Sequence, residues 1–134
     1  MHFRLYDLEN FGDERGGLVP FEMGHNVPFE VRRAFYIFDT KPATPRGAHA
    51  NRASQFVMVA VAGSCTVRID DGHGEKSSVR LDRPNLALWL DRMVWKEMVD
   101  FSPNAILLVL SDEVYDETEY VRNYEDYLAI RAHS

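Results

Sequence analysis

Short runs of apolar or alternating residues recur along the chain, and each run is followed by Gly, Pro, Asp or Asn. Runs of this length with these breakers are typical of β-strands joined by turns. The predicted strands are residues 2–8, 18–23, 33–39, 55–61, 64–70, 77–81, 86–90, 93–99 and 104–111. Many short strands at this spacing indicate a sandwich or a barrel.

The C-terminal segment DETEYVRNYEDYLAIRA follows a different pattern. Four of its residues fall at helical spacing: Tyr120, Val121, Tyr124 and Leu128. Asp116 or Thr118 is suited to cap the start of this helix, with acidic residues in its first turn. The predicted fold is therefore all-β with a short C-terminal helix, in a single domain that covers residues 1–134.

Composition narrows the classes of function. The 134 residues carry a net charge of −6, which argues against general nucleic-acid binding because that needs a basic face. The one cysteine, Cys65, lies in an apolar run and is expected to be buried and inert. The N-terminus has no apolar leader, and no apolar run approaches 18 residues, so we expect a cytoplasmic protein without a membrane segment.

Candidate chemistry is concentrated in the six residues RGAHAN, residues 46–51. In an extended strand side chains alternate, so Gly47, His49 and Asn51 are expected on one face, with Ala48 and Ala50 on the other. If the first face points into a barrel, His49 and Asn51 face the cavity.

The ligands of a barrel-type metal site are missing. Such a site needs His-x-His, then Glu a few residues later, then a further His; here those places hold His49, Asn51, Gln55, and Lys96 or Glu97. An amide oxygen is a weak ligand for zinc or iron, and a nearby ammonium repels a dication. We therefore predict no metal at this place. What remains is one neutral imidazole, which is suited to proton transfer near pH 7.

A lone histidine in a strand is usually structural, but two neighbouring features favour catalysis at His49. Arg46 lies three residues earlier, where a guanidinium can hold a phosphate while the imidazole faces a sugar. The run RRAFYIF then adds Arg33 as a second candidate cation and Tyr36 as a candidate acid or hydroxyl donor; Arg32 is expected to be solvated.

The chain also resembles a known family along nearly its whole length. The resemblance runs through RRAFYIFDT, PRGAHANR, GSCTVRIDDG, LDRPNLALWLDRMVWKEMVDFS and ILLVLSDEVYDETEYVRNYEDYL. It is similar to the nucleotide-sugar 3,4-ketoisomerases of the cupin class (WxcM-like), which rearrange dTDP-4-keto-6-deoxyglucose for deoxyamino-sugar biosynthesis. The motif RGxH alone is less specific, because it also occurs in RmlC-type 3,5-epimerases, where the Arg contacts phosphate and the His is the base.

The resemblance implies a cupin jelly-roll barrel, a homodimer with exchanged N-terminal strands and no cofactor. It implies that His49 is the base and proton shuttle. Tyr36 and Asn51 are candidates to hold the developing oxyanion. The candidate substrate-binding residues are Arg46, Arg33 and Glu97.

Asn51 departs from the family, in which several members carry His-x-His at this place, so a two-histidine relay is impossible here. The second proton donor is left open by this substitution. Two other functions also stay open: an RmlC-like 3,5-epimerase acting on a dTDP-4-keto sugar, and a non-catalytic sugar-binding cupin.

Overall fold

The structure is a computed structural model that describes residues 2–41 and 44–134, and it contains ten strands in two antiparallel sheets. The strands are β1 (Phe3–Asp7), β2 (Arg33–Ile37), β3 (Arg46–Asn51), β4 (Phe56–Ala62), β5 (Cys65–Asp70), β6 (Lys76–Leu81), β7 (Leu86–Leu90), β8 (Trp95–Val99), β9 (Ile106–Ser111) and β10 (Tyr120–Val121). One sheet has the order β1-β7-β4-β9-β2, and the other β10-β3-β8-β5-β6. This arrangement confirms the predicted cupin-like, all-β barrel.

The main core lies between the sheets and is formed by alternate residues of the strands. Phe56 and Met58 of β4 meet Val67 and Ile69 of β5 there, because successive side chains of a strand point to opposite faces of its sheet. Cys65 is buried in the same core, where burial raises the pKa of its thiol to about 11, in agreement with an inert thiol.

The predicted strand at residues 18–23 is wrong. The described backbone there forms no strand, and only an isolated bridge joins Met23 to Val27. Pro20 removes a backbone donor, which disfavours a sheet ladder. Val19 and Phe21 instead pack over the outer face of the first sheet, against Val57 and Val59, so their apolar character reflects a covering loop.

The C-terminal helix is present but begins later than predicted. Helix α1 covers Tyr124–Ala132, and Asn123 caps it by accepting a hydrogen bond from the backbone N–H of Asp126 at 2.9 Å. Asp116 caps only a short 3-10 helix at Glu117–Glu119. Because Tyr120 and Val121 pair with β3, half of the expected helical stripe is a strand.

Helix α1 packs on the outer face of the second sheet. Tyr127 is fully buried there against Trp95, Val121 and Ala50, and its hydroxyl donates to the backbone oxygens of Met93 and Asp70. The helix therefore fixes β10 and β8 from outside. No helix formed by residues 2–41 and 44–134 is long and apolar enough to cross a membrane.

Candidate active site

A β-bulge in β3 determines which residues of RGAHAN face the inside of the barrel. Gly47 pairs with Glu97 and His49 pairs with Lys96, so Ala48 is the additional residue of the bulge. Gly47 has a φ of +84°, and a Cβ on it would lie 3.1 Å from the backbone oxygen of Lys96. With this bulge His49 and Asn51 both face inward, and a Cβ on Gly47 would lie 3.1 Å from the sulfur of Met98 in the main core, so Gly47 is also on the inner side.

The His49 imidazole is held in one orientation by its own strand. Its Nδ1 lies 3.1 Å from the carbonyl oxygen of Gly47, and because a carbonyl only accepts, this bond requires the proton on Nδ1. Nε2 is then the basic nitrogen. Burial and the Lys96 ammonium lower the pKa of His49 to about 4, and the bond to Gly47 only partly opposes them. The imidazole is therefore neutral at pH 7.

Lys96 is buried inside the barrel beside Asn51. The two side chains are 2% and 1% exposed, and Nζ of Lys96 donates to Oδ1 of Asn51 at 2.8 Å. The ammonium also lies 4.4 Å from the centre of the Phe56 ring. Burial lowers the pKa of Lys96 to about 7, against a smaller opposing effect of Glu119. Nδ2 of Asn51 is buried and has no partner within 3.5 Å among the described residues, but it lies near enough to Glu119 to help lower the pKa of that carboxyl group.

Glu119 anchors the segment that closes this end of the barrel. Its Oε1 accepts from the backbone N–H groups of Ala53 and Ser54, each at 2.9 Å, and its other oxygen accepts from the Ser54 hydroxyl. Burial raises the pKa of Glu119, but these hydrogen bonds outweigh it and hold the pKa below its usual value. The anchor also positions Tyr120, whose ring centre lies 4.8 Å from that of His49.

A series of ring contacts connects His49 to Arg33. Tyr120 lies 5.7 Å from Tyr115 between ring centres, and the Arg33 guanidinium lies 5.6 Å from Tyr115 and 5.2 Å from Phe35. Nε and Nη2 of Arg33 are buried and have no hydrogen-bond partner in the described part of the chain. Burying such donors is costly unless something binds them, so they are suited to an anionic ligand.

Arg46 is exposed at the start of β3. It lines a recess of about 320 Å³ together with residues 35–41 and Thr44. Arg32, in contrast, is exposed on the outside and lies 4.0 Å from Glu113. The expected solvation of Arg32 therefore agrees with the structure.

Two predicted site residues do not lie on the inner face of the barrel, which carries His49. Tyr36 is 62% exposed and lies on the opposite face of β2 from Arg33. Glu97 alternates with Lys96 on β8, so its carboxylate is outside the barrel and accepts from Nε1 of Trp95 at 3.4 Å. Glu97 lines an outer groove of about 510 Å³ against α1, which does not contain His49. Because side chains alternate between the two faces of a strand, Tyr36 and Glu97 both lie outside the barrel. The expectation that they face His49 is therefore corrected.

Three residues that sequence reasoning did not assign to the site are brought there by the structure: Lys96, Glu119 and Tyr120. From the sequence, Lys96 is only a charge that would repel a metal ion. Whether Lys96 or Glu97 faces the inside of the barrel depends on how β8 pairs with β3, which the sequence does not give. Glu119 and Tyr120 belong to the run VLSDEVYDETEYVRNYE, which has no generic structural explanation. The density of acidic and aromatic residues in this run is the signal that the sequence offers, whereas the helical spacing of Tyr120 points to a helix instead.

These features define a cupin-type barrel whose inner face carries a neutral imidazole, a buried ammonium and a guanidinium with two buried donors that have no partner among the described residues, which is a site for proton transfer on an anionic ligand. The chain matches the family described as "FdtA: WxcM-like, C-terminal" over residues 1–132. It therefore belongs to that family.

Individual relatives agree with this assignment. The chain is 40% identical over 127 residues to the TDP-4-oxo-6-deoxy-alpha-D-glucose-3,4-oxoisomerase of Aneurinibacillus thermoaerophilus, covering 95% of this chain and 91% of that protein. A crystal structure of a 3,4-ketoisomerase from Helicobacter canadensis matches with a TM-score of 0.95 and 39% identity, covering 98% of each chain.

A third relative is a histidine-to-asparagine variant of the 3,4-ketoisomerase QdtA from Thermoanaerobacterium thermosaccharolyticum, in complex with TDP-4-keto-6-deoxyglucose. It matches with a TM-score of 0.94 and 31% identity, covering 98% of this chain and 95% of that one. The predicted family and the predicted isomerase class are thus confirmed, and the comparisons favour neither the 3,5-epimerase nor the binding module.

Proposed function

We propose that the protein converts dTDP-4-keto-6-deoxyglucose to a dTDP-3-keto-6-deoxyhexose for deoxyamino-sugar biosynthesis. The observation that carries the proposal is the His49 imidazole, which is inside the barrel, neutral at pH 7 and basic at Nε2. The substrate is taken from relatives that cover almost the whole chain. The sugar ring lies at His49, and the pyrophosphate lies towards the arginines.

The reaction is a tautomerisation through an enediol. Nε2 of His49 removes the C3 proton, which the neighbouring C4 carbonyl acidifies, and the electron pair forms a C3–C4 double bond while the C4 oxygen gains a proton. The C3 hydroxyl then loses its proton to become the new carbonyl, and C4 gains a proton. One C–H bond breaks and one forms, so no redox agent is required.

Hydrogen-bond donors around His49 stabilise the enediolate. Nδ2 of Asn51 is a buried amide donor without a hydrogen-bond partner in the described part of the chain, which supports its predicted role at the oxyanion. Tyr120 replaces Tyr36 as the candidate hydroxyl donor, because its ring contacts the His49 ring.

The guanidinium of Arg33 and the more exposed Arg46 bind the pyrophosphate. Arg33 supplies buried donors without partners, and planar guanidinium groups match phosphate oxygens in pairs. Glu97 has no part in this proposal, because its carboxylate lies outside the barrel.

The side chains at this site do not fit a metal ion. The inward residues of β3 supply one imidazole and one amide, and the amide oxygen already accepts from an ammonium. A dication at this place would be repelled by Lys96 and would lack ligands. We expect turnover to survive EDTA.

The experiment that tests the function uses His49→Asn with the 4-keto sugar nucleotide in D₂O. The wild type is expected to introduce deuterium at C4, and turnover of the variant should fall by about 10²–10⁴-fold while it still binds dTDP. Deuterium at C3 and C5 would indicate an epimerase, and an unchanged sugar would indicate a binding module. Near-normal turnover of the folded variant would contradict the role of His49.

A homodimer with exchanged N-terminal strands is part of the proposal. Strand β1 is the edge strand that pairs with β7, and the partner's β1 can form the same ladder. Large apolar side chains are also exposed and suited to cover by a second copy: Phe11, Leu18, Met23, Tyr36 and Phe38. Light scattering should give a dimer at micromolar concentration; a fully active monomer would contradict the exchanged-strand dimer.

We also propose that the protein is located in the cytoplasm, and cell fractionation tests this location.

A further inference from the structure

A buried lysine without a carboxylate partner needs a physical reason. In residues 2–41 and 44–134, no carboxylate lies within 4.0 Å of the Lys96 ammonium, and its hydrogen bond goes to the neutral amide of Asn51. Lysine is almost never fully buried unless it is paired, because removing an ammonium from water is costly. Apolar side chains surround this place in the core, so a methionine would be the less costly choice.

Lys96 lies directly opposite His49, and this position suggests a functional reason for burying its ammonium group. The two residues are direct partners across β3 and β8, and both side chains point into the barrel. Residues directly opposite in an antiparallel pair have Cβ atoms about 4.5–5.5 Å apart, so the ammonium and the imidazole share one small volume. A positive charge at this place disfavours a second positive charge on the ring.

Other charged groups also face His49 and must be included. Arg122, which follows β10, adds a second unfavourable charge for the protonated ring, and Glu119 of the 3-10 helix adds a favourable one. Tyr120 contacts the ring through its own aromatic ring. Of the cations, Lys96 has the larger influence on His49 and is the buried one.

We propose that Lys96 is a positioning residue, which holds the Asn51 amide by its oxygen and keeps the His49 imidazole unprotonated so that Nε2 is available as a base. The chain thereby replaces a second imidazole with an ammonium–amide pair. The interpretation rests on the proposed role of His49, but the electrostatic coupling can be measured without substrate.

The coupling has a definite pH dependence. Below pH 7 Lys96 is charged, and the His49 ring resists protonation. Above that pH Lys96 loses its proton, so its influence on the ring disappears. The electrostatic part of the effect of removing Lys96 on kcat/KM should therefore be largest at pH 5–6 and vanish above pH 8, while the part that comes from losing the hydrogen bond to Asn51 should not depend on pH.

The test is an NMR titration of the His49 ring in the wild type and in Lys96→Met, which has a similar length without charge. The wild-type ring should titrate near pH 4. In Lys96→Met the titration should move up by about 1 unit and stay below the ordinary histidine value, because burial is the larger cause of the shift and persists in the variant. Lys76→Met removes an exposed lysine from the far edge of the same sheet and should leave His49 unchanged.

A second measurement needs no variant. In the wild type, the His49 ring signals should show a further inflection near pH 7, where Lys96 deprotonates. An unshifted His49 titration in folded Lys96→Met, or the absence of this inflection, overturns the proposal. If instead the coupling is found but His49→Asn remains active, the proposed function fails and the electrostatic coupling stands.

Discussion

At the scale of single residues, Tyr120 and Tyr36 form a matched pair of phenols in different environments. Tyr120 contacts the His49 ring, whereas Tyr36 is exposed on the outer face of β2. If Tyr120 protonates the C4 oxygen, Tyr120→Phe should lower kcat by about 10²–10⁴-fold. Tyr36→Phe should leave kcat unchanged. Steady-state kinetics on both variants distinguishes the two, and equal losses would contradict the assignment to Tyr120.

The adjacent residues Arg32 and Arg33 provide a second comparison. Arg33 has buried donors without partners, and Arg32 is exposed near Glu113. Arg33→Met should weaken dTDP binding by about 1.5–3 kcal/mol, the value of a hydrogen bond to a charged group. Arg32→Met should change it little, because exposed charges contribute little. Calorimetric titration with dTDP measures both, and similar losses would place the pyrophosphate elsewhere.

At the scale of elements, the 3-10 helix Glu117–Glu119 follows β9 in the chain and is hydrogen-bonded to the loop after β3. Glu119 accepts two backbone N–H bonds and one hydroxyl from that loop, while Glu117 in the same turn is exposed. Glu119→Gln should lower the free energy of unfolding at pH 7 by about 1.5–3 kcal/mol. Glu117→Gln should stay within about 0.5 kcal/mol, and urea denaturation compares them.

The pH dependence of this anchor has a defined sign. Since the pKa of Glu119 is below its usual value of 4.5, its stabilisation is present above that pH and is lost as the pH falls through the lower folded value. The difference between the wild type and Glu119→Gln should therefore shrink in acid. A difference that stays constant down to the acid transition would show that the carboxylate charge is irrelevant.

At the scale of the whole molecule, Lys96 reduces stability at the pH where the site operates. Its pKa of about 7 lies well below the unfolded value of 10.5, so between these values the unfolded chain binds a proton that the native state does not. Stability from this group therefore rises with pH across that range. From pH 7 to pH 10 the wild type should gain about 1–4 kcal/mol relative to Lys96→Met.

Urea denaturation at several pH values measures this gain, with Lys76→Met as the control for an exposed lysine. If the difference in the free energy of unfolding between the wild type and Lys96→Met is the same at pH 7 and at pH 10, Lys96 is not a buried group with a lowered pKa. A destabilising charge that persists in a core is expected where function requires it.

The sequence by itself determined most of the strands and the chemical class of the site. The apolar run FVMVAVA and the alternation in CTVRID are local features, and they predict β4 and β5. His49 and Asn51 were predicted to face inward because they lie two residues apart on one strand. The resemblance, carried by RGAHAN and the later blocks, identified the family.

Only the tertiary structure decided which groups meet at His49. The bulge at Gly47 sets the register of β3 on β8, and this register brings Lys96 inside and leaves Glu97 outside. The helical spacing of Tyr120 and Val121 was misleading because β3 pairs with them and Asn123 caps a later helix. Glu119 reaches Ser54 across 65 positions of sequence, and such a contact depends on sheet pairing, which local periodicity does not encode.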